Sequence, residues 1–370
     1  MAGVKKALVL SGGGGRGAYH IGVMEALVAL GWMEDGAGPD IIAGTSIGAI
    51  NAAALASGLT VAELKERWLA MNTEQVHRLS ESMPAYVRPL ARFFLRSILT
   101  SSDGADQEAP PEPELSAGGL LDRLSTFARS TPFRSLLDTS PWRHTLGQWM
   151  DFERINSPDS PAILLAATEV QSGALRVFAN HDLRGRPRDA IGLDHLMASS
   201  SIPLVYPWTE IGAEKYWDGA VVANTPLGAV IDLAAGDELD ILVVMMTPWA
   251  AEVETPLGDQ PLPQDMIQAV ALTLDWALLA SYRQAFKSLK RANALAEAAA
   301  KLERAAALTG DDSLRLSGPV PRRIREPTVI APQAMMPIEW IVDYEDSVHE
   351  KLFAQGYADA MAALISRAVE

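Results

Sequence analysis

Residues Ala7-Leu8-Val9-Leu10-Ser11-Gly12-Gly13-Gly14-Gly15-Arg16-Gly17 set a short apolar run against a turn made almost wholly of glycine, and an apolar-periodic stretch from about Ala18 to Leu30 follows. This reads as buried strand, glycine turn and helix. The pattern repeats at once: Pro39–Ala43 is strand-like, Gly44–Gly48 is a turn, and Ala49–Ala56 is rich in small helix formers. Two βα units in succession favour a parallel or mixed sheet with helices on its faces. Outward from there, strand-like runs resume at Ile163–Ala167, Leu175–Phe178 and Ile241–Met246. Residues 61–100 read as helical in pieces. From Gln264 to Thr309 there is neither Gly nor Pro, which predicts one long helix or a pair of helices. The part from Pro332 to Glu370 reads as a loop followed by a helix or two, interrupted near Gly356.

The 370 residues are 48% apolar and 21% charged, enough for a large hydrophobic core. Length alone allows two domains or one enlarged α/β domain. Cysteine is absent, which excludes disulfide scaffolds, thiolate metal sites and thiol nucleophiles. It also leans towards a reducing compartment. Lys and Arg number 31 against 46 Asp and Glu, a formal charge of −15 that repels a phosphate backbone and argues against nucleic acid as a partner. The N-terminal apolar run stops at Ser11, short of the roughly 7–15 residues of a signal-peptide core. No uninterrupted apolar stretch reaches the roughly 18–20 residues of a membrane span. A soluble, acidic, cytoplasmic protein is expected. Residues 101–119 are acidic and rich in Pro, Gly and Ser, as expected of an exposed loop.

Gly44-Thr45-Ser46-Ile47-Gly48 places a serine at a strand-to-helix turn, with glycine two positions away on each side. A nucleophilic hydroxyl needs such a sharp turn for exposure, and larger flanking residues would block it. The adjoining helix N-terminus favours developing negative charge. Upstream, Gly12–Gly17 is backbone almost without Cβ atoms, so several N–H groups can converge on one small anion. Gly12, Gly14 and Gly17 also satisfy G-x-G-x-x-G, and Glu34 and Asp35 follow at about the distance of a ribose-binding acid. A nucleotide-binding regulatory protein is therefore a rival reading, although it leaves Ser46 without a role.

A serine hydroxyl needs a base to take its proton. After residue 182 only His195 and His349 are candidates. His349 lies in Asp343-Tyr344-Glu345-Asp346-Ser347-Val348-His349, which reads as an exposed helical face. The other candidate base is Asp218, in Asp218-Gly219-Ala220, which follows the aromatic approach of Tyr206, Trp208, Tyr216 and Trp217. Read alone, this is also an ordinary Asp-Gly turn.

Together these residues resemble the patatin-like phospholipase family. Leu10–Gly17 with Gly22 looks like that family's glycine-rich oxyanion loop, Gly44–Gly48 like its nucleophile elbow, and Asp218-Gly219-Ala220 like its Asp-Gly-Ala/Gly motif. Ala198-Ser199-Ser200-Ser201-Ile202-Pro203 resembles the segment that precedes that motif. The matched regions are roughly 5–60 and 160–235, with weaker similarity at Leu137–Pro141 and in the C-terminal helices. The resemblance implies an α/β fold of three layers (α/β/α) with a central, mostly parallel sheet, its catalytic core over 5–235 carrying an insertion at about 74–135, and 236–370 completing the sheet and adding helices. It implies a Ser46–Asp218 dyad without histidine, an oxyanion site formed by the N–H groups of Gly13, Gly14 and Gly15 with Arg16 ordering the loop, and hydrolysis of lipid acyl esters. Phospholipid, lysophospholipid and glyceride all remain open as substrates, and no metal or organic cofactor is implied. Burial among Tyr and Trp should raise the Asp218 pKa, since an ordinary carboxylate is a weak base. The competing enzyme reading is a Ser–His–Asp esterase using His349.

Residues 84–100 carry Arg88, Arg92 and Arg96 at helical spacing beside Leu90, Phe93, Phe94, Ile98 and Leu99, with no acid among them. This basic amphipathic island is a candidate for peripheral membrane contact. For 264–309 the expectation is helices covering the sheet or an accessory helical hairpin.

Overall fold

The computed structural model describes residues 4–81, 135–183, 185–234, 238–249, 262–263, 266–311, 313, 315 and 323–369. The acidic stretch 101–119 and the basic island 84–100 lie outside them. Strand β1 (Lys5–Leu10) leads through the glycine loop into α1 (Ala18–Ala29), and β2 (Ile41–Thr45) leads into α2 (Ile47–Ala56). After α3 (Val61–Ala70) and the short α4 (Thr73–Val76), a two-stranded ribbon pairs β3 (Arg78–Leu79) with β4 (Leu137–Asp138). Then come α5 (Ser140–Trp149), α6 (Phe152–Ile155), β5 (Ala162–Glu169), β6 (Leu175–Ala179) and α7 (Leu193–Ser199). The hairpin β7 (Thr209–Ile211) and β8 (Glu214–Asp218) precedes α8 (Leu227–Ala234), β9 (Leu239–Val244), α9 (Met266–Thr309), β10 (Thr328–Ile330) and α10 (Asp346–Val369).

The main sheet runs β10-β9-β1-β2-β5-β8-β7, with β6 also paired to β5. The five strands from β10 to β5 are parallel, and β6, β8 and β7 join antiparallel. Successive strand side chains point to opposite faces, and both faces are covered. Leu8, Leu10, Ile42, Ile163 and Leu165 join a core with α1, α2, α3, α7 and α10. Ala7, Val9, Ile41, Ala43 and Leu164 join another with α8 and α9. Burial on both faces explains why β1 and β2 read as continuous apolar runs rather than alternating ones. Each fully buried Leu or Ile there stabilises the fold by about 1.5–3 kcal/mol.

Residues 266–309 form one helix, settling the choice between one and two. Leu279, Tyr282, Phe286 and Leu289 make a stripe at helical spacing that packs on the sheet. Two expectations for the C-terminal part need correction. Helix α10 runs through Gly356 without interruption. The glycine is there for close packing, because a Cβ would run into the carbonyl of Tyr19 on α1. His349 is fully buried rather than on an exposed face. Strands β7, β8 and β10 were not anticipated as strands. They are three to five residues long, and β8 mixes charged and aromatic side chains. Among the described residues, no helix is long and apolar enough to cross a membrane.

Candidate active site

The register of β5 brings Ser46 and Asp218 together. Strand β2 pairs with β5 until Thr45 faces Ala166. On the edge opposite β6, β8 takes over at the next rung, with Asp218 facing Ala167. Because β2 runs parallel and β8 antiparallel to β5, their C-terminal ends meet. Ser46 follows β2 directly and Asp218 ends β8, so residues 172 positions apart in sequence face one another across a rung of one strand.

Ser46 has φ 57° and ψ −127°, a backbone state that side-chain-bearing residues rarely occupy. Its surroundings hold it there. The Ser46 N–H donates to Ser199 Oγ at 3.0 Å, and that hydroxyl donates to the Ala166 carbonyl at 2.6 Å. Gly48 lies against the backbone of Leu10 and Ser11, where any Cβ would collide. The elbow thus requires small residues for packing as well as for exposure. Ser46 is 4% exposed and Asp218 2%.

The Asp218 carboxyl accepts from the Ala220 N–H at 2.8 Å, and its own N–H donates to the Ser201 carbonyl at 2.8 Å. Burial pushes its pKa up from 3.8 to about 7. Hydrogen bonds from the Ser46 side chain and the Ala220 N–H act in the opposite direction and are outweighed. The group therefore changes charge near neutrality. Tyr206 and Tyr344 hydrogen-bond each other nearby, and burial, with the Asp218 charge adding to it, raises both pKa values. Tyr206 Oη also meets His77 Nδ1 at 2.9 Å, and burial lowers that histidine to about 4.

The glycine loop lies directly on the serine: a Cβ at Gly12 would fall 2.9 Å from Ser46 Cβ and 2.8 Å from Asn224 Oδ1. The Gly12 N–H donates to Asn224 Oδ1 at 2.8 Å. Gly14, Gly15, Arg16 and Gly17 form a buried single turn leading into α1. Gly13, Gly14 and Gly15 lie in the connection between β1 and α1, next along the chain from the Gly12 that stands against Ser46. The Arg16 guanidinium does not join them. It reaches Asp275 on α9 through Nη1 at 2.7 Å and Nη2 at 3.3 Å, and the carbonyls of Met336 and Pro337 at 2.9–3.2 Å. These contacts tie its side chain to α9 and to the backbone at 336–337.

The other candidates fall elsewhere. His349 Nδ1 meets the Trp68 carbonyl at 3.0 Å, and among the described residues its buried Nε2 has no hydrogen-bond partner. Its ring stands edge-on to Trp68 at 5.0 Å, a core setting rather than a bond to Ser46. His195 Nδ1 accepts from the Gly192 N–H at 2.9 Å, and its ring packs on Phe178. Asp35, the candidate ribose-binding acid, instead accepts from the Val61 N–H at 2.7 Å, at the start of α3. Ser199, Asn224 and Asp275 were not singled out from sequence. Ser199 lies in the Ala198–Pro203 segment ahead of Asp218, whereas Asn224 and Asp275 belong to no local pattern that marks a site.

This is an α/β fold with a strained serine and a buried carboxylate at the C-terminal ends of its strands, where such sheets place their sites. The family model for patatin-like phospholipases matches residues 8–231, and the chain belongs to that family. Membership makes it a lipid hydrolase by class and lipid esters its class of substrate. A search among curated proteins returns no match. Among solved structures, VipD from Legionella pneumophila aligns at TM-score 0.45 and 15% identity, covering 99% of this chain and 67% of VipD. The type III effector ExoU aligns at TM-score 0.34 and 16% identity, covering 99% of this chain and 54% of ExoU. A complex of ExoU with SpcU from Pseudomonas aeruginosa aligns at TM-score 0.30 and 19% identity, covering 76% of this chain and 50% of that one.

Proposed function

We propose that this chain hydrolyses carboxylic ester bonds of lipids through Ser46 and Asp218, releasing free fatty acid. The observation that carries the reading is the pairing of a strained, elbow-borne serine with a carboxyl whose burial holds its pKa near 7. Ionised Asp218 accepts the Ser46 proton as Oγ attacks the ester carbonyl. The carbonyl oxygen becomes an oxyanion beside the N–H groups of Gly13, Gly14 and Gly15. Collapse expels the alcohol, which takes the proton from Asp218, and leaves an acyl-serine. Water then attacks the acyl carbon, giving Asp218 a proton that passes to Ser46 Oγ as the fatty acid departs.

A carboxyl at about 7 suits both halves, because it is ionised enough to accept a proton and acidic enough to return it. The cytoplasmic setting and a peripheral membrane role for 84–100 belong to the proposal on sequence grounds alone. Deleting 84–118 should weaken vesicle binding and lipid hydrolysis if that role is real. The chemistry is tested by labelling with a fluorophosphonate, which reports an activated serine and is indifferent to nucleotides. Wild type should label and Ser46→Ala should not. Labelling that survives in Ser46→Ala would remove Ser46 as nucleophile.

A further inference from the structure

We propose that Asp275 of α9 is a positioning residue for ester hydrolysis: it holds Arg16, and through Arg16 the glycine loop, in the shape that receives the oxyanion. The inference rests on the Ser46 reading above. It extends the working site to a helix outside the family-model match at 8–231.

The loop from Gly12 to Gly17 has one side chain of its own with which to be anchored, that of Arg16. That side chain is 1% exposed, and its guanidinium meets both Asp275 oxygens. Such a two-pronged pair fixes direction as well as distance. The same helix holds the other end of the loop indirectly. Ser281 Oγ accepts from the Asn224 N–H at 3.2 Å, and Asn224 Oδ1 accepts from the Gly12 N–H at 2.8 Å. Both ends of a segment with almost no side chains are thereby referred to α9, whose remaining length packs on the sheet through Leu279, Tyr282 and Phe286.

A buried ion pair is a poor way to gain stability, since apolar residues of similar volume do as well or better. It is a good way to fix geometry. Oxyanion donors act only when placed within hydrogen-bond reach of the developing charge, and displacements of about 1 Å can cost about 10²-fold in rate.

The test is steady-state hydrolysis of a monomeric p-nitrophenyl ester by wild type, Asp275→Asn, the double variant Arg16→Met/Asp275→Leu, and Ser46→Ala, each checked for folding by thermal melting. Asp275→Asn should lower kcat by about 10–10²-fold with KM within about twofold, because a misplaced loop weakens transition-state binding rather than substrate binding. The double variant carries no orphaned charge but leaves the Met336 and Pro337 carbonyls without their Arg16 donor, so it should fold with a lowered melting temperature and still turn over slowly. Wild-type kcat in either folded variant would overturn the proposal; if Asp275→Asn does not fold, the double variant decides. Persistence of activity in Ser46→Ala would instead sink the hydrolase reading, independently of Asp275.

Discussion

Replacing Asp218 with asparagine should make the fold more stable as pH rises, and the size of the effect follows from its burial. The carboxyl is pushed up from 3.8 to about 7 in the folded protein. Between those values the unfolded chain has given up its proton while the folded protein still holds one. The raised folded pKa is therefore a penalty on folding: absent below about pH 4, growing through the window, and complete above about pH 7. At about 1.36 kcal/mol per pH unit the full penalty is about 4 kcal/mol. Asparagine never ionises, and its Oδ1 can still accept from the Ala220 N–H that Asp218 meets at 2.8 Å. The assay is urea unfolding of wild type and Asp218→Asn across about pH 5 to pH 8. Burial lowers the pKa values of His20, His77 and His349, so both proteins lose stability in acid, and that loss cancels in the difference. The stability advantage of the variant should grow by about 3 kcal/mol from about pH 5 to pH 8. An advantage that stays constant with pH would refute the argument that burial, rather than a direct contact, sets the Asp218 pKa.

Other outcomes follow from the same geometry. The kcat/KM of wild type should climb with pH and level off above about 7, as Asp218 ionises to its base form; a pH-independent profile would deny it that role. Ser46→Gly should be more stable than Ser46→Ala by about 1–3 kcal/mol in denaturant unfolding, because only glycine occupies φ 57° and ψ −127° without strain. Gly356→Ala should destabilise the protein by about 1–3 kcal/mol or more, since its Cβ would meet the Tyr19 carbonyl; an unchanged unfolding midpoint would show that α1 and α10 can part. His349→Gln should leave kcat within about threefold in a protein that still folds, because His349 meets the Trp68 carbonyl and not Ser46.

The parallel core was legible in the sequence because it obeys local rules. Strands β1 and β2 are buried on both faces and read as apolar runs, and the glycines that follow each one mark the turns at which the site is built. Ser46 was legible for the same reason, its turn being written in five consecutive residues. Asp218 as a partner was not readable from its neighbours, because an Asp-Gly pair is an ordinary turn signal. What selects it is the register of β8 on β5, a pairing between residues far apart in sequence. Gly356 misled for a related reason: a glycine in a helix signals a break locally, whereas here it serves a crossing with a helix more than 300 residues upstream. His349 misled because its neighbours are charged, while burial is decided by Trp68, Tyr344 and Phe353 packing around it. Asp275 shows the limit most clearly. An acid in a long helix gives no sign that it faces Arg16, 259 positions away.

The central claim is that Ser46 and Asp218 act together on a lipid ester. It is tested most directly by free fatty acid release from a panel of phospholipids, lysophospholipids and glycerides, comparing wild type with Ser46→Ala, Asp218→Asn and His349→Ala. Release is expected from wild type and from His349→Ala, with losses of about 10³-fold or more in the other two. Release that survives in Asp218→Asn and disappears in His349→Ala would contradict it and make a histidine the base.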